Sequence, residues 1–291
     1  MRDLAEFEEV EQLHRKSLDI LESSDPTLRP AMFATKSDLA DLFWSLGKYE
    51  EAETLARQAV CGQSDLLGTS HVDTITSMGV LSLVLCALAE REEVTGDLEA
   101  DKLSHSRGTR YGKAAGLARE VFESRKEILG LNHPQSLMSM KNLSWILRNK
   151  GNFVESELLN REALARKEKE LGKDHHDTLN CKYCLAVVLG CQGRYEEAEQ
   201  VHREHLKAVV KVLGKEHPNT MRSMRGLGKV LEAQGKVEQA LEMYRKAYEG
   251  LLNSFGSDHV VTLESKAPLE SLSDCIAREN RYSYIPVNSE I

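Results

Sequence analysis

The sequence predicts an all-α fold, a right-handed α-solenoid built from 42-residue helix-turn-helix repeats. The first observation is a pentad that recurs every 42 residues, with its glycine and histidine at Gly130 and His133, Gly172 and His175, Gly214 and His217, and Gly256 and His259. The second is a pair of further columns in the same register, Gly151, Gly193 and Gly235 and then Phe153, Tyr195 and Val237. The third is apolar residues at helical spacing within each repeat. Because one helix pair cannot bury its apolar face alone, such repeats must stack.

The register divides the whole chain, 1–291, into segments of one solenoid. Residues 1–25 are a half-repeat or capping helix, because Phe7 falls in the column of Tyr49. The repeats follow at 26–67, 68–129, 130–171, 172–213 and 214–255, and 256–291 is a terminal half-repeat and tail. About twelve helices are expected. The pentad of Gly68 is followed by the next one 62 residues later, which places a 20-residue insertion at about 91–110.

Each repeat is expected to contain two helices. The first has a buried apolar stripe, for example at Leu137, Met140, Leu143, Ile146 and Leu147. Asp177 and Asn219 are expected to cap the first helices of their repeats, because helix starts need a hydrogen-bond acceptor. The second helix runs from the aromatic column to the pentad glycine, the expected terminator. Small residues allow the two helices to approach closely, at Ala52, Ala114, Ser156, Ala198 and Ala240.

The insertion segment, about 91–110, starts acidic and ends basic and has almost no large apolar residues. We expect a surface loop, since loops tolerate insertions at low thermodynamic cost. The alternative is a lid or docking segment.

Composition and charge narrow the classes of partner. The formal net charge of −8 and the lack of basic runs argue against nucleic acid. We expect no run of about 18 apolar residues that would span a bilayer, and therefore no membrane partner. The acidic, amphipathic start is unlike a signal peptide, so we expect a cytoplasmic protein whose six cysteines are reduced.

The repeat motif resembles that of a known family. It reads Leu-Gly-x-x-His-Pro-x-Thr and later Gly-x-Tyr-Glu-Glu-Ala-Glu, as at Gly193 to Glu199, and it resembles the 42-residue tetratricopeptide repeat (TPR) of kinesin light chain. Similar repeats occur in fungal and bacterial NLR-type proteins. The resemblance covers nearly the whole chain and implies a protein-binding scaffold with a concave groove lined by the first helices. The family's groove asparagine is matched only by Asn142, since its column otherwise reads Asp38, Val80, Cys184 and Gly226.

The predicted groove residues lie on the first helices, away from the apolar stripe. They are Asp38, Asp41, Lys141, Asn142, Trp145, Asn149, Asn180, Tyr183, Cys184, Arg222, Arg225 and Lys229. The groove is thus expected to change from acidic to basic along the chain. Arg222, Arg225 and Lys229 are spaced to project together and to bind a carboxylate or phosphate.

We therefore predict a scaffold or adaptor that binds an acidic peptide or partner segment, with Trp145 and Tyr183 as anchors and Asn142 and Asn180 reading its backbone. The alternative is a small-molecule-binding or enzymatic protein with a pocket around Tyr183, Cys184, Arg222 and Arg225. No cofactor and no catalytic residue is expected. Pairing of two copies through the solenoid ends is a further expectation, as is a place as the sensor arm of a longer protein.

Histidine and cysteine patterns do not predict a metal site. The pentad histidines share one structural column, which is typical of a residue that packs a turn. His202 and His205 flank Glu204 without forming a zinc motif. Cys181, Cys184 and Cys191 are expected to be small apolar fillers, with a groove-facing thiol cluster as the alternative.

Overall fold

The structure is a computed structural model that describes residues 2–23, 25–94, 100–257 and 259–282. Within these residues the chain forms twelve α-helices and one 3-10 turn, and no strand. The predicted all-α helical repeat architecture is confirmed.

The contacts divide the chain into two compact units, Met1–Leu159 and Asn160–Ile291. One continuous solenoid over 1–291 stays a prediction. The first unit contains α1 (Arg2–Glu22), the 3-10 turn (Pro26–Leu28), α2 (Arg29–Ser45), α3 (Tyr49–Leu67), α4 (Val72–Val94), α5 (Ala100–Leu129), α6 (Pro134–Asn149) and the start of α7 (Phe153–Leu171). The second contains the rest of α7, then α8 (His176–Cys191), α9 (Tyr195–Leu213), α10 (Pro218–Ala233), α11 (Val237–Phe255) and α12 (Val260–Tyr282).

Each unit has its core on the predicted apolar stripes. In the first, one cluster joins α2, α3 and α4 through Leu39, Phe43, Ala52, Val84 and Leu88. In the second, one cluster contains Leu185, Leu189, Ala198 and Val230, and another contains Leu227, Leu231, Ala240, Tyr244 and Leu272. The five predicted small residues are all fully buried, which confirms that they line the close approach of paired helices.

The helix starts differ from the prediction, because the pentad histidine is itself the cap. His175 and His217 are the N-cap residues of α8 and α10, and the Nδ1 atom of each accepts a hydrogen bond from the backbone N–H two residues later. Asp177 and Asn219 therefore lie inside the first turn and supply that N–H, so their prediction as caps was wrong. An imidazole reaches the orphan amide as a shorter cap side chain does. The structural role predicted for this column is confirmed.

Glycine ends the helices as predicted. Gly214 follows α9 with φ of +88°, and its N–H donates to the carbonyl of Val210. Gly193, with φ of +76°, turns the chain from α8 into α9. Only glycine adopts this left-handed conformation without steric cost.

The insertion segment is helical where the structure describes it, so the loop prediction was wrong there. α4 extends to Val94 and α5 begins at Ala100, which makes them 23 and 30 residues long. Residues 95–99 lie outside the described residues. At the base of this extension Arg91 pairs with Glu50 and Arg110 pairs with Glu53, at 3.1 and 3.2 Å. The inserted residues therefore lengthen an existing helix pair.

Helix α4 contradicts the expectation that no apolar run is long enough to span a bilayer. Its segment Val72–Arg91 is 20 residues long with a mean hydropathy of 1.9 over its most apolar window. Two thirds of that window, 67%, is buried inside the protein. Buried residues such as Val84 and Leu88 pack in the first unit's core, which accounts for the apolar character of the helix.

Candidate functional site

A cavity of about 140 Å³ lies in the second unit between α8, α9 and α10. Its apolar wall is formed by Leu179, Val209, Val212 and Leu213, and its other lining residues are His176, Asn180, Tyr183, His205, Asn219 and Arg222. The cavity thus combines an aliphatic surface with amide groups, an aromatic ring and one guanidinium. Binding pockets typically have this composition, apolar with a few convergent polar groups.

An aromatic cluster fixes one wall of the cavity. The guanidinium of Arg222 lies over the ring of Tyr183, 4.4 Å from its centroid. The Tyr183 ring also packs against His202 and His205, with centroids 5.5 Å away in both cases. A cation over an aromatic face is attracted by the ring quadrupole, so Tyr183 helps to hold Arg222 at the cavity.

The two histidines behind Tyr183 are neutral at physiological pH. His202 and His205 are only 1% and 5% exposed, and burial lowers the pKa of each to about 4. The Nδ1 atom of His205 lies 2.8 Å from the Oγ atom of Ser223, whereas Nδ1 of His202 is buried without a hydrogen-bond partner. Arg222 is the one arginine among the residues that line the cavity, and no lysine is among them.

Gly226 provides the space that this cluster needs. A Cβ atom at this position would lie 2.7 Å from Cε1 of His202 and 3.1 Å from Cε2 of Tyr183. Gly226 stands in the same repeat column as Asn142, which matches the family's groove asparagine. In this repeat a glycine replaces that asparagine, and the rings of Tyr183 and His202 pack closely against it.

Helix α10 carries three cationic side chains, those of Arg222, Arg225 and Lys229. Across the described residues, Arg222, Arg225 and Lys229 form no ion pair with a carboxylate. The one acidic residue of the helix, Glu232, accepts a hydrogen bond from the Tyr244 hydroxyl at 2.6 Å. Burial, and then Glu232, raise the pKa of Tyr244, while the charge of Arg225 opposes them. Arg225 is therefore close enough to Tyr244 to influence it electrostatically, whereas Arg222 lies over the ring of Tyr183.

The predicted site residues of the second unit divide into two groups. Asn180, Tyr183 and Arg222 line the cavity. Cys184, Arg225 and Lys229 are not among its lining residues; Cys184 and Arg225 are half-buried and Lys229 is exposed.

In the first unit, the predicted residues are not among those that line the two cavities described there, one beside Phe43 and one beside Ile75. Asp38 and Asp41 lie on α2 with part of each side chain exposed; neighbouring atoms partly desolvate both carboxyl groups and raise their pKa, and the charge of Asp38 also raises that of Asp41. Lys141, Asn142 and Trp145 are half-buried on α6.

Asn149, also predicted for the groove, takes part in an internal hydrogen-bond network. Its amide nitrogen donates to Glu90, and its oxygen accepts from Arg148 at 2.8 Å. Its polar atoms are thus already engaged within the first unit.

Sequence reasoning missed most of the cavity wall. The missed residues are His176, Leu179, His205, Val209, Val212, Leu213 and Asn219. Four of them belong to α9, which is the second helix of its repeat, whereas the predicted groove residues all lie on the first helix of a repeat. A signal was present, because this is the one repeat with histidine in both columns, although His14 also stands in the column of His202.

The described residues contain no cluster of three or more histidine, cysteine or acidic side chains that would hold a metal ion. The three cysteines of α8 differ in environment: Cys181 is buried, Cys184 is half-buried and Cys191 is exposed. They do not share one exposed surface, which favours their prediction as packing residues.

Models of the tetratricopeptide repeat family match three segments of the chain. One matches residues 177–253, and another matches residues 34–73 and 136–177. Together these segments cover just over half of the 291 residues. No curated protein sequence matches the chain.

Several solved structures have a similar fold. A kinesin light chain-type protein of Podospora anserina, with nearly identical TPR-like repeats, is 21% identical with a TM-score of 0.60, over 78% of this chain and 98% of that one. BtubC (BKLC) from P. vanneervenii is 21% identical with a TM-score of 0.55, over 88% and 92%. A Rap protein complexed with Competence and Sporulation Factor is 10% identical with a TM-score of 0.56, over 95% and 72%.

The sequence and the fold agree on one classification. The family models match the segments in which the glycine and histidine columns recur, and the helices begin and end at those columns. The chain belongs to the tetratricopeptide repeat family, and its fold is similar to that of solved kinesin light chain-like proteins.

Proposed function

We propose that this chain is a protein-interaction scaffold that binds an acidic segment of a partner protein along α10. The tetratricopeptide repeat fold is consistent with a scaffold role in general. One structural neighbour, a Rap protein, was solved in complex with Competence and Sporulation Factor, so a protein of similar fold forms a complex with that factor.

The observation that carries this proposal is the row of cations on α10, which form no ion pair with a carboxylate in the part of the chain that the structure describes. Elsewhere in the second unit, lysines lie close to carboxylates, as in Lys182 with Glu204 at 2.9 Å and Lys236 with Glu199 at 2.7 Å. Arg222, Arg225 and Lys229 have no such partner within the described residues. A cationic row of this kind attracts an acidic partner and accelerates its association. Tyr183, which is half-buried beside Arg222, is proposed as an anchor for this segment, and the role of Trp145 as an anchor stays a prediction.

A charge reversal outside the cavity tests the proposal. The probes are a fluorescein-labelled peptide of about twelve residues rich in Asp and Glu, and its Asn and Gln analogue. We expect the parent chain to bind the acidic probe, and Arg225→Glu/Lys229→Glu to bind it at least tenfold more weakly, which corresponds to about 1.4 kcal/mol.

The matched control is Lys169→Glu/Lys207→Glu, which makes the same charge change at exposed positions outside α10. This control should bind the acidic probe within about twofold of the parent. Equal weakening by both double variants, or equal affinity for the acidic probe and its amide analogue, would contradict the proposal.

The cavity favours a second candidate, the binding of a small molecule. Of the four residues predicted for such a pocket, Tyr183 and Arg222 line it, whereas Cys184 and Arg225 do not. The cavity therefore supports binding better than it supports an enzymatic reaction. A cytoplasmic location and pairing of two copies through the chain's end helices remain part of the proposal.

A further inference from the structure

The first unit contains a slot that corresponds to the cavity but is filled. It lies between α4, α5 and α6, is lined by Val72, Ile75, Arg125, Ile128, Leu129 and Gln135, and has a volume of only about 10 Å³. By the repeat register, Ile75 stands in the column of Leu179, Ile128 in that of Val212 and Leu129 in that of Leu213. The same three-helix arrangement is thus closed in one unit and open in the other.

Arg125 lines the closed slot. Its guanidinium donates to the Oγ atom of Ser139 at 3.0 Å and to the Oγ1 atom of Thr76 at 3.3 Å. Burial lowers the pKa of this arginine, as expected for a half-buried guanidinium. The protein therefore places a long polar side chain between these helices and satisfies it with two hydroxyl groups.

In the second unit the corresponding positions leave that space open. Val209 stands in the column of Arg125 and is too short to cross the slot. Ser223, in the column of Ser139, is within hydrogen-bonding distance of His205. Tyr183 replaces Gly79, and Arg222 replaces Met138, so an aromatic ring and a cation now border the open space.

The lining of the open cavity indicates the chemistry of its ligand. Leu179, Val209, Val212 and Leu213 offer an aliphatic surface, and Arg222 offers a guanidinium without a carboxylate partner in the part of the chain that the structure describes. A guanidinium binds a carboxylate through two parallel hydrogen bonds. The volume of about 140 Å³ is close to that of a cavity of about 150 Å³ that accommodates benzene, so it fits a hydrocarbon of roughly four to six carbons.

We propose that the cavity between α8, α9 and α10 binds an aliphatic carboxylate. The hydrocarbon packs on the four aliphatic side chains, the carboxylate pairs with Arg222, and the amides of Asn180 and Asn219 offer further donors. Arg222 is held for this role by the ring of Tyr183.

This inference deepens the proposed function and rests on it in part. If the ligand is part of an acidic partner protein, the group that enters the cavity is the C-terminal residue of that protein, a leucine or a similar aliphatic residue with a free carboxylate. The same chemistry is available from a free branched-chain carboxylic acid. The two sources share one mode of binding and are separated by the probes used.

Ligand-observed NMR with the full chain tests the proposal. The small probes are 4-methylpentanoate and its uncharged analogue 4-methylpentanamide. The peptide probes are an acidic peptide that ends in leucine with a free carboxylate and the same peptide with an amidated end. We expect 4-methylpentanoate to bind and 4-methylpentanamide to bind at least tenfold more weakly. If the source is a peptide, the free-ended peptide binds at least tenfold more tightly than both the amidated peptide and 4-methylpentanoate.

Two variants locate the binding. Val209→Arg places in the cavity the residue that lines the closed slot of the first unit, and should abolish binding of 4-methylpentanoate. Val212→Phe narrows the cavity from its partly exposed side and serves if Val209→Arg does not fold. Arg222→Gln should weaken binding at least tenfold while the far-ultraviolet circular dichroism stays that of the parent.

The outcomes separate this inference from the proposed function. Loss of 4-methylpentanoate binding in Val209→Arg or Val212→Phe, with binding retained in Arg225→Glu/Lys229→Glu, supports the cavity even if the acidic surface fails its own test. No binding of 4-methylpentanoate and of the free-ended peptide, or equal binding by the parent and the cavity-filling variants, overturns the cavity proposal. The proposal that an acidic segment binds along α10 is then tested by the Arg225→Glu/Lys229→Glu experiment alone.

Discussion

The guanidinium of Arg222 lies 4.4 Å from the centroid of the Tyr183 ring, so α8 and α10 are joined at the cavity by a cation–π contact. Replacing Tyr183 with leucine removes the ring and should lower the free energy of unfolding by about 1 kcal/mol or more through loss of this contact and of ring packing. Tyr183→Phe keeps the aromatic face and should lose less than half of that. Urea denaturation of both variants measures the difference, and equal losses would show that the contact contributes little.

Gly226 should not tolerate a side chain. In Gly226→Ala the added methyl group meets His202 at 2.7 Å, so the aromatic cluster must shift, and we expect a loss of about 1–3 kcal/mol. Gly190→Ala, in the last turn of α8, is the control for an added methyl group, because that group meets only Val230 at 3.7 Å. That control should be neutral or stabilising by up to about 1 kcal/mol. The prediction fails if both variants have the parent's stability in chemical denaturation.

The second unit should lose stability in mild acid because of its buried histidines. Burial lowers the pKa of His202 to about 4 in the folded chain, whereas an unfolded histidine has a pKa of about 6.5. The unfolded state therefore takes up the proton first, and the stabilisation present above pH 6.5 is lost as the pH falls from about 6.5 to about 4. Each histidine contributes on the order of 3 kcal/mol over this range.

His202→Leu tests the pH dependence, because it removes the titrating group from a site where Nδ1 has no hydrogen-bond partner. The free energy of unfolding, measured by denaturant titration between pH 7 and pH 4.5, should fall less steeply in this variant than in the parent. Identical slopes would contradict a neutral buried His202.

Helix α5 should be stabilised by alanine on its exposed face. A Cβ atom at Gly112 or Gly116 meets nothing within 4 Å, and glycine inside a helix costs about 0.5–1 kcal/mol relative to alanine. Gly112→Ala/Gly116→Ala should therefore raise the free energy of unfolding by about 1–2 kcal/mol. Gly130→Ala is the contrast: it also meets no atom, but its φ of +83° is strained for alanine, so it should destabilise. Thermal unfolding monitored by circular dichroism compares them.

The sequence predicts the repeat frame well, because the frame depends on residues with local roles. Gly193 and Gly214 end helices through their own backbone conformation, and Ala198 is a small residue that is fully buried where paired helices approach closely. The cap was misassigned because Asp177 is a common cap residue, and the sequence does not show that His175 reaches the amide first.

The insertion segment was misjudged for a different reason. It lacks an apolar stripe and contains Gly108, which are features of loops. Long-range ion pairs, such as that of Arg110 with Glu53, occur at its base, and local sequence does not reveal such contacts.

The cavity depends on three helices at once and was only partly predictable. Tyr183 and Arg222 stood out as an aromatic and a cation off the apolar stripe. Helix α9 leaves the cavity open because the side chain of Val209 is short relative to the space between α8, α9 and α10. A column-by-column comparison of Val209 with Arg125 would have indicated it.

The contrast between Arg125 and Val209 also indicates how one residue per repeat can determine whether such an array has an open cavity. The glycine and histidine columns hold each helix pair in place whatever residue stands in the slot. A substitution at that one column can therefore empty or plug a compartment without disturbing the frame, so each repeat is free to diverge in its chemistry while its neighbours keep theirs.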